Sequence, residues 1–471
     1  MKLKLIFAWT GIFVIGIIPV LLLLTFGPHN HSSITHTLGQ VCGLIGMTLF
    51  AITFILSTRA KWIEDLFGGL DKIYPVHAIL GATSFILLLL HPLFLVMRYI
   101  PANIKLAATY LLPGGLISVD FGLFALLGMI ILLMITLYGK LKYNTWKFTH
   151  EFLGAFFILA ILHIFLVRNT VALDNIFNGY YVYAAIVSIV GLGAFLYSLS
   201  RRRLFSKRYR IQKLNEINGC FEIILAPLAS KDYSIGKYSG RTGSKTGSAA
   251  DMDDNMADGI TFKSGQFIFV KFKNKNVNNE SHPFSIASAP GDGNIRIIVK
   301  NLGDFTGQLG KLREGNIVIV EGPYGRFHNN TNTDANDSTH TSAQYDDEVW
   351  VAGGIGITPF LGLAEDFRHN KTGRVDLYYS VKNRDEFVHL EELQDIAKLN
   401  KNFRVFPWVS NDQGYLNLEE IAKNSHIQHA HLKNHEWYLC GPASLKTTIR
   451  DALLEKNVKA SKIHDERFAF K

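Results

Sequence analysis

The sequence predicts an α-helical membrane bundle of six spans, followed by a small antiparallel β-barrel and a parallel α/β sheet. Three observations predict it. The apolar content of the 471 residues is concentrated in roughly the first 200. Residues 208–325 alternate short β-rich runs such as RYRIQKL, CFEIILAP and NIVIVEGPYG with turns, a pattern of antiparallel strands. From residue 348 onward, strands alternate with helical stretches, the signature of a parallel sheet covered by helices. The length alone suggests about three domains.

The six apolar spans fall at 5–26, 37–57, 74–97, 116–138, 148–167 and 180–199. Each is long enough to cross about 30 Å of hydrocarbon as a helix. The first has too long an apolar run for a secretory signal and no small-residue cleavage site after it, so it reads as a retained helix. Basic residues orient the spans. Lys2 and Lys4 precede the first span, and the first loop has no Lys or Arg. Arg59, Lys61 and Lys72 fall in the second loop, and Lys140, Lys142 and Lys147 in the fourth. A dense basic run, including Arg201, Arg202, Arg203 and Lys207, follows the sixth. The bias places the N-terminus and the whole C-terminal half in the cytoplasm of a multi-pass cell-membrane protein. The net charge of +9 mostly reflects these flanks, with no interleaved basic and aromatic pattern for nucleic acid. No obligate protein partner is inferred.

Two polar inserts, 230–259 and 328–347, are rich in Gly, Ser, Asn, Asp and Thr and are expected to be loose. The expected domains are 1–203 in the membrane, 204–330 as the barrel, a loose stretch 331–347, and 348–471 as the α/β domain. The three cysteines, Cys42, Cys220 and Cys440, form no CxxC and exclude a disulfide framework or a four-cysteine cluster.

Of 17 histidines, four lie inside apolar spans: His77 and His91 in the third, His150 and His163 in the fifth. An imidazole in hydrocarbon is costly without a partner, which makes each a functional candidate. His77 and His91 are 14 residues apart, about 21 Å along a helix and on one face. The third and fifth spans run in the same direction. His77 can therefore meet His150 near the cytoplasmic side, and His91 can meet His163 near the outer side. Two facing rings suit bis-histidine ligation of haem iron. Gly81 and Gly154 each follow an inner histidine by four residues, which would leave room for a flat macrocycle. The 13-residue spacing of His150 and His163 leaves them off a common helical face, so the fifth helix must bend or bulge, or the two haems must be rotated. A zinc site completed by Asp120 or Glu151 is the alternative metal reading. Arg98, Arg168 and Lys147 could neutralise propionates, but interface anchoring explains them better.

The barrel carries HPFSIAS at 282–288, with His282, Pro283, Phe284 and Ser285 offering backbone groups and a hydroxyl to an isoalloxazine edge. GDFTGQL follows at 303–309, where Gly303, Asp304, Phe305 and Thr306 open a short helix suited to a pyrophosphate. EGPYG at 321–325 closes the barrel. Together, in this order, they predict FAD binding. GGIGITP at 353–359 ends a strand and opens a helix, the context for dinucleotide phosphates. Gly353, Gly354, Gly356, Thr358 and Pro359 are its candidate residues, with Cys440, Gly441 and Pro442 facing the same crevice. Cys440 is either a catalytic residue there or a plain small core residue. Ser380, Lys382 and Arg384 follow the second strand and favour the 2′-phosphate of NADPH. Asp376, about 20 residues past the glycines as in NAD binders, lies too early in its strand to outweigh them.

With LFGGLDKIYPVHAILG at 66–81, the paired histidines, HPFS, GDFTGQL, GPYG, GGIGITP, CGP and the ending ERFAFK, the chain resembles the ferric reductase and NADPH oxidase family, particularly its compact bacterial branch. The resemblance covers nearly the whole chain outside the inserts. It implies two b-type haems held by the four histidines, one FAD and an NADPH site, the last two on a ferredoxin-reductase-like module. In that family an aromatic residue near the C-terminus stacks on the flavin. The role carries to Phe468 as a catalytic residue, with Phe470 as second choice. Electrons are then expected to pass from cytoplasmic NADPH through FAD, the inner haem and the outer haem to O2 or a ferric chelate outside. The second span lacks an Arg and Leu95 lies one turn beyond His91, a departure that weakens the oxidase variant. A protein that serves a dedicated membrane or quinone partner, or senses redox state, is the alternative, and a proton-conducting histidine ladder is a weaker one. HNHSSITH at 29–36 and HIQHAH at 426–431 read as solvated segments.

Overall fold

The computed structural model of the protein describes residues 2–26, 33–141, 143–167, 179–228, 259–291, 293–327, 347–370 and 373–466. The chain divides into two compact units, Met1–Leu204 and Phe205–Lys471. Most of both polar inserts, Arg168, and the terminal Phe468 and Phe470 lie outside the described residues.

The first unit is helical: α1 (Lys2–Phe26), α2 (Ile34–Ser57), α3 (Lys61–Phe67), α4 (Leu70–Met97), α5 (Ile104–Leu111), α6 (Ile117–Tyr138), α7 (Tyr143–Glu151), α8 (Leu153–Leu166) and α9 (Gly179–Phe205). Five stretches among the described residues are long and apolar enough to cross a bilayer: Ile34–Ser57, Leu70–Met97, Ile117–Tyr138, Thr145–Leu166 and Tyr181–Arg201. Within α1 the described apolar stretch, Ala8–Leu22, is shorter. The short helices α3 and α5 lie in loops where too few turns exist to show periodicity. Helix α5 is fixed by its first turn, where the Asn103 side chain accepts the Leu106 N–H at 3.0 Å.

Helix α2 is the most enclosed of the five, because it presents a glycine face to α4. A Cβ on Gly39 or Gly46 would sit 2.9 Å from the Leu95 side chain or 2.8 Å from that of Leu88. Small residues let membrane helices approach closely, where van der Waals packing rather than the hydrophobic effect holds them. The Ser84 hydroxyl adds a bond across the contact to Gly46 O at 2.7 Å. Phe50, Phe54, Phe157 and Phe195 form the aromatic centre of the unit, with ring centres 5.1–5.2 Å apart.

The second unit opens with β1 (Ser206–Ile217), β2 (Cys220–Pro227), β3 (Phe267–Lys273), β4 (His282–Ser285), β5 (Ile295–Lys300) and β6 (Ile317–Tyr324). They form one antiparallel sheet in the order β4-β3-β6-β1-β2-β5. The β1–β2 turn is Asn218-Gly219, both at positive φ (50° and 71°), as a tight two-residue hairpin requires. Inward residues such as Tyr209, Ile223, Val270, Ile297 and Val320 build its core.

The chain then alternates: β7 (Glu348–Gly353), α10 (Thr358–Asn370), β8 (Val375–Val381), α11 (Leu390–Leu399), β9 (Phe403–Val409), α12 (Ser410–Gln413), α13 (Leu418–Ser425), β10 (Glu436–Cys440), α14 (Ala443–Glu455) and β11 (Ile463–Asp465). All five strands are parallel, in the order β11-β10-β7-β8-β9. From β7 the chain builds outward through β8 and β9, then crosses back to β10. The switch point, where open α/β sheets bind ligands, therefore lies between the C-terminal ends of β7 and β10. Gly362 lets α10 press against the stretch after β4, since a Cβ there would stand 2.9 Å from Ser288 O.

Candidate functional site

The four intramembrane histidines come together in the two pairs their spacing predicts. The ring centres of His77 and His150 are 6.1 Å apart, and those of His91 and His163 are 6.2 Å apart. Their planes cross at 63° and 77°. Three of the rings are oriented by backbone carbonyls on neighbouring helices. His77 Nδ1 donates to Thr53 O at 3.0 Å, His91 Nδ1 to Gly39 O at 2.7 Å, and His163 Nδ1 to Ser118 O at 2.7 Å. Donation from Nδ1 leaves the lone pair on Nε2, the tautomer that binds a metal. Glycines carry the outer rings. A Cβ on Gly43 would fall 2.6 Å from His91 Nδ1, and one on Gly122 would fall 2.8 Å from His163 Nδ1.

The helix that carries His150 and His163 is broken between them. Residues 145–166 form one span, but α7 ends at Glu151 and α8 begins at Leu153. Around Phe152 the bonding is of the tighter i→i+3 type, with Phe152 N–H to Thr149 O at 3.2 Å and Ala155 N–H to Phe152 O at 2.9 Å. Thirteen ideal helical residues fall about 140° short of whole turns. A tightened residue turns about 20° more than an α-helical one, so the few residues at the break recover only part of that difference. Of the two inner glycines, Gly81 faces open space, its nearest Cβ contact being 3.9 Å to Thr53. Gly154 does not leave a gap: the Phe195 ring fills it, 2.1 Å from where a Cβ would stand.

The zinc alternative finds no support, since among the described residues no cluster of three His, Cys, Asp or Glu side chains could hold a metal ion. The Asp120 carboxylate is occupied by the Gly114 N–H at 3.1 Å, and Glu151 pairs with Lys147 at 3.7 Å. Arg98 lies over the Tyr99 ring at 4.5 Å, as an interface anchor would.

In the antiparallel sheet, HPFS is strand β4, with Val270 opposite His282 and Phe267 opposite Ser285. The His282 ring stacks on Phe305 with centres 3.9 Å apart, and its Nε2 pairs with Glu280 at 2.7 Å. Those contacts tie HPFS to GDFTGQL. Thr306 opens a short 3-10 helix, and its hydroxyl accepts the N–H groups of Leu302 and Gly303 at 2.9 and 3.0 Å. Asp304 lies in the same turn, its carbonyl accepting the Gln308 amide at 2.7 Å. Pro283 and Phe284 pair with Phe269 and Ile268. The Ser285 hydroxyl is buried with no hydrogen-bond partner, an orphaned polar atom of the kind a bound polar ligand satisfies.

At the switch point, backbone meets backbone. A Cβ on Gly356 would lie 2.4 Å from Cys440 O, one on Gly353 2.7 Å from Pro442, and one on Gly441 2.9 Å from the Gly353 backbone. Gly354 has φ +54°. GGIGITP and CGP are therefore one interlocked element, and Thr358 and Pro359 start helix α10 from it. Cys440 is fully buried among core residues such as Ala352 and Tyr438. Burial, reinforced by the Glu466 carboxylate, holds its thiol protonated. Ser380 pairs with Gly353 at the end of β8. Lys382 is exposed, and Arg384 is exposed too, 3.5 Å from Asp412. Asp376 is buried at the opposite end of the strand, clamped by Arg374 at 2.9 Å and Arg404 at 2.7 Å, so it serves packing rather than a ribose.

Three family matches run along the chain in this order. The ferric reductase like transmembrane component covers residues 42–161, an FAD-binding domain 254–328, and an oxidoreductase NAD-binding domain 350–451. The chain belongs to the ferric reductase and NADPH oxidase family. Among ferric reductase relatives, it is 24% identical to ferric reduction oxidase 7 of Arabidopsis thaliana over 78% of this chain and 46% of that protein. It is 29% identical to respiratory burst oxidase homolog protein D of Arabidopsis thaliana over 33% of this chain and 18% of that protein. The ferredoxin reductase component of a Rhodococcus rhodochrous 3-ketosteroid-9-alpha-monooxygenase is 24% identical over 46% of this chain and 58% of its own length. The chain thus spans about half the length, or less, of these curated relatives.

The histidines fit the iron porphyrin that a ferric reductase membrane domain implies. Two metal–nitrogen bonds of about 2 Å put the donor atoms about 4 Å apart, and each ring centre lies roughly 1 Å behind its donor. The sum agrees with 6.1 and 6.2 Å.

Sequence reasoning missed the groups that orient the rings: the carbonyls of Thr53, Gly39 and Ser118, and the glycines beneath the outer rings. It also missed a charge cluster between the two sheets. Arg296 on β5 makes two bonds to Glu392 on α11, at 2.9 and 2.7 Å. His389 bridges Glu222 at 3.0 Å and Glu392 at 3.1 Å. The two carboxylates push His389 up to about 9, while His389 and Arg296 overcome burial and bring Glu392 down to about 2.

Proposed function

We propose that this protein is an NAD(P)H-dependent transmembrane oxidoreductase that moves electrons from cytoplasmic NADPH, through FAD and two b-type haems, to an acceptor on the outer face. The observation that carries this reading is the pair of histidine pairs: two imidazole couples at metal-spanning separation, stacked at two depths of one helical unit. When bound, the flavin takes a hydride and releases single electrons, and each haem iron carries one at a time.

The remaining roles belong to this chain's residues. His77 and His150 hold the inner iron, and His91 and His163 the outer. They contribute ligation and potential rather than proton transfer. His282, Ser285 and the Gly303–Thr306 turn hold the flavin. Gly353, Gly354 and Gly356 leave room for the nucleotide phosphates, and Lys382 and Arg384 meet the 2′-phosphate. We read the antiparallel sheet as a closed barrel, supported by Ala287 N–H to Arg296 O at 2.8 Å, which links the end of β4 to β5. We read α1 as the sixth span, with the N-terminus and the dehydrogenase unit in the cytoplasm. Glu466 lies within reach of both Cys440 and the GPYG turn. That position of Glu466, two residues before Phe468 in the sequence, supports Phe468 as the residue that covers the flavin.

Ferric chelates and O2 are the acceptor classes. The purified full-length protein with NADPH and FAD is tested by cytochrome c reduction with and without superoxide dismutase, and by trapping ferrous iron without oxygen. Ferrous product under anaerobic conditions identifies a ferric reductase, and dismutase-sensitive reduction an oxidase. Reducible haem with no turnover on either acceptor would overturn the reading in favour of a dedicated redox partner.

A further inference from the structure

The four histidines are not held alike. Three donate Nδ1–H to a backbone carbonyl. His150 does not: its Nδ1 is buried with no hydrogen-bond partner. The ring instead lies flat against Trp146, with planes 4° apart and centres 5.6 Å apart. Both residues project from α7 one turn apart, the spacing at which side chains on a helix meet. The indole is itself tied to α6, since Trp146 Nε1 donates to Thr136 O at 3.2 Å.

A hydrogen bond from Nδ1 makes an imidazole a stronger donor to its metal, and a stronger donor stabilises the ferric state. The outer pair has two such bonds. The inner pair has one. The parallel indole sets apolar surface beside the His150 ring, and a dry shell disfavours the more highly charged oxidised centre.

We propose that Trp146 is a positioning residue for His150: its stacked face replaces the missing hydrogen bond, and this exchange makes the inner centre easier to reduce than the outer one. The inference rests on the bis-histidine haem reading above. It assigns the two centres different ligand strengths, with the stronger electron trap on the side that the flavin serves.

The test is optical redox titration and electron paramagnetic resonance of the full-length, haem-loaded protein in lipid nanodiscs. The outer centre is assigned by its loss in His91→Ala. In the wild type the inner centre should titrate at the higher potential. Trp146→Leu should lower that potential by at least tenfold in the reduction equilibrium, about 59 mV for one electron. It should also change the inner ferric signal, which follows the angle between the ligand planes, and leave the outer centre unmoved. Trp146→Phe keeps an aromatic face and should stay near the wild type. Loss of the inner centre in Trp146→Leu with retention in Trp146→Phe also supports the role. The proposal is overturned by an inner centre that titrates below the outer, by unshifted potentials in Trp146→Leu, by equal shifts of both centres, or by equal effects of the two variants. A wild type without two bis-histidine centres would instead overturn the haem reading itself.

Discussion

Replacing Glu392 by Gln removes one charge from the cluster that joins the antiparallel and parallel sheets. The carboxylate takes both Arg296 bonds and one from His389, and its side chain is 26% exposed. Breaking a fully buried ion pair costs about 3–5 kcal/mol, because it strands a desolvated charge. Here Arg296 keeps the Ala287 carbonyl at 2.7 Å and His389 keeps Glu222 at 3.0 Å, so about 2 kcal/mol is the expected loss. For a unit of this size that lowers an apparent melting midpoint by roughly 4–8 °C. The assay is the release of flavin fluorescence on heating the full-length protein, with Lys398→Ala as control. Lys398 and Asp395 form an exposed pair at 2.8 Å, and its removal should leave the midpoint unchanged. A Glu392→Gln shift no larger than that of the control would refute the reasoning. The same cluster sets a pH dependence. His389 is raised from 6.5 to about 9 in the fold, so its contribution is complete below pH 6.5 and disappears as pH rises through about 9. Glu392 is lowered from 4.5 to about 2, so its contribution is complete above pH 4.5 and is lost as pH falls through about 2. The cluster should therefore be strongest between pH 4.5 and 6.5. His389→Ala should flatten the alkaline side, with the shift discounted for solvent screening to about 1–2 kcal/mol.

Three further outcomes are expected. Gly43→Ala places a methyl 2.6 Å from His91 Nδ1 and should remove the outer haem while keeping the inner, halving the haem content per chain. Retention of both would contradict the packing. Gly356→Ala meets the Cys440 carbonyl at 2.4 Å, where backbone cannot yield. Overpacking of about 1–3 kcal/mol should raise the KM for NADPH tenfold or more, and an unchanged KM would count against the interlocked crevice. Phe468→Ala should alter hydride transfer and the preference between NADPH and NADH in stopped-flow flavin reduction. Identical nicotinamide kinetics would argue against the flavin-covering role.

The architecture was legible where burial leaves a period in the sequence. The apolar spans marked the described membrane helices, and the alternation of short strands and turns marked the antiparallel sheet. GGIGITP and CGP marked the crevice, because only glycine tolerates such backbone contact. The histidine pairing followed from helical rise alone. The short helices α3 and α5 were not legible, having too few turns to show periodicity. The orienting groups around the histidines were hidden because they are backbone carbonyls, which no side-chain pattern announces. Gly154 was misread for a related reason: sequence shows that a side chain is missing but not which neighbour, here Phe195, occupies the space. Asp376 illustrates the converse. Its distance from the glycines suits a ribose ligand, but its register opposite Arg404 places it at the wrong end of the strand.

The central claim, that four histidines hold two haems in series, is tested most directly by haem content and optical spectrum across single substitutions. The wild type should bind two haems per chain with six-coordinate b-type bands, both reduced by NADPH. His163→Ala should leave one haem that NADPH still reduces, and His150→Ala should leave one that NADPH no longer reduces. Bands that survive replacement of all four histidines, or an outer haem still reduced by NADPH in His150→Ala, would contradict the account.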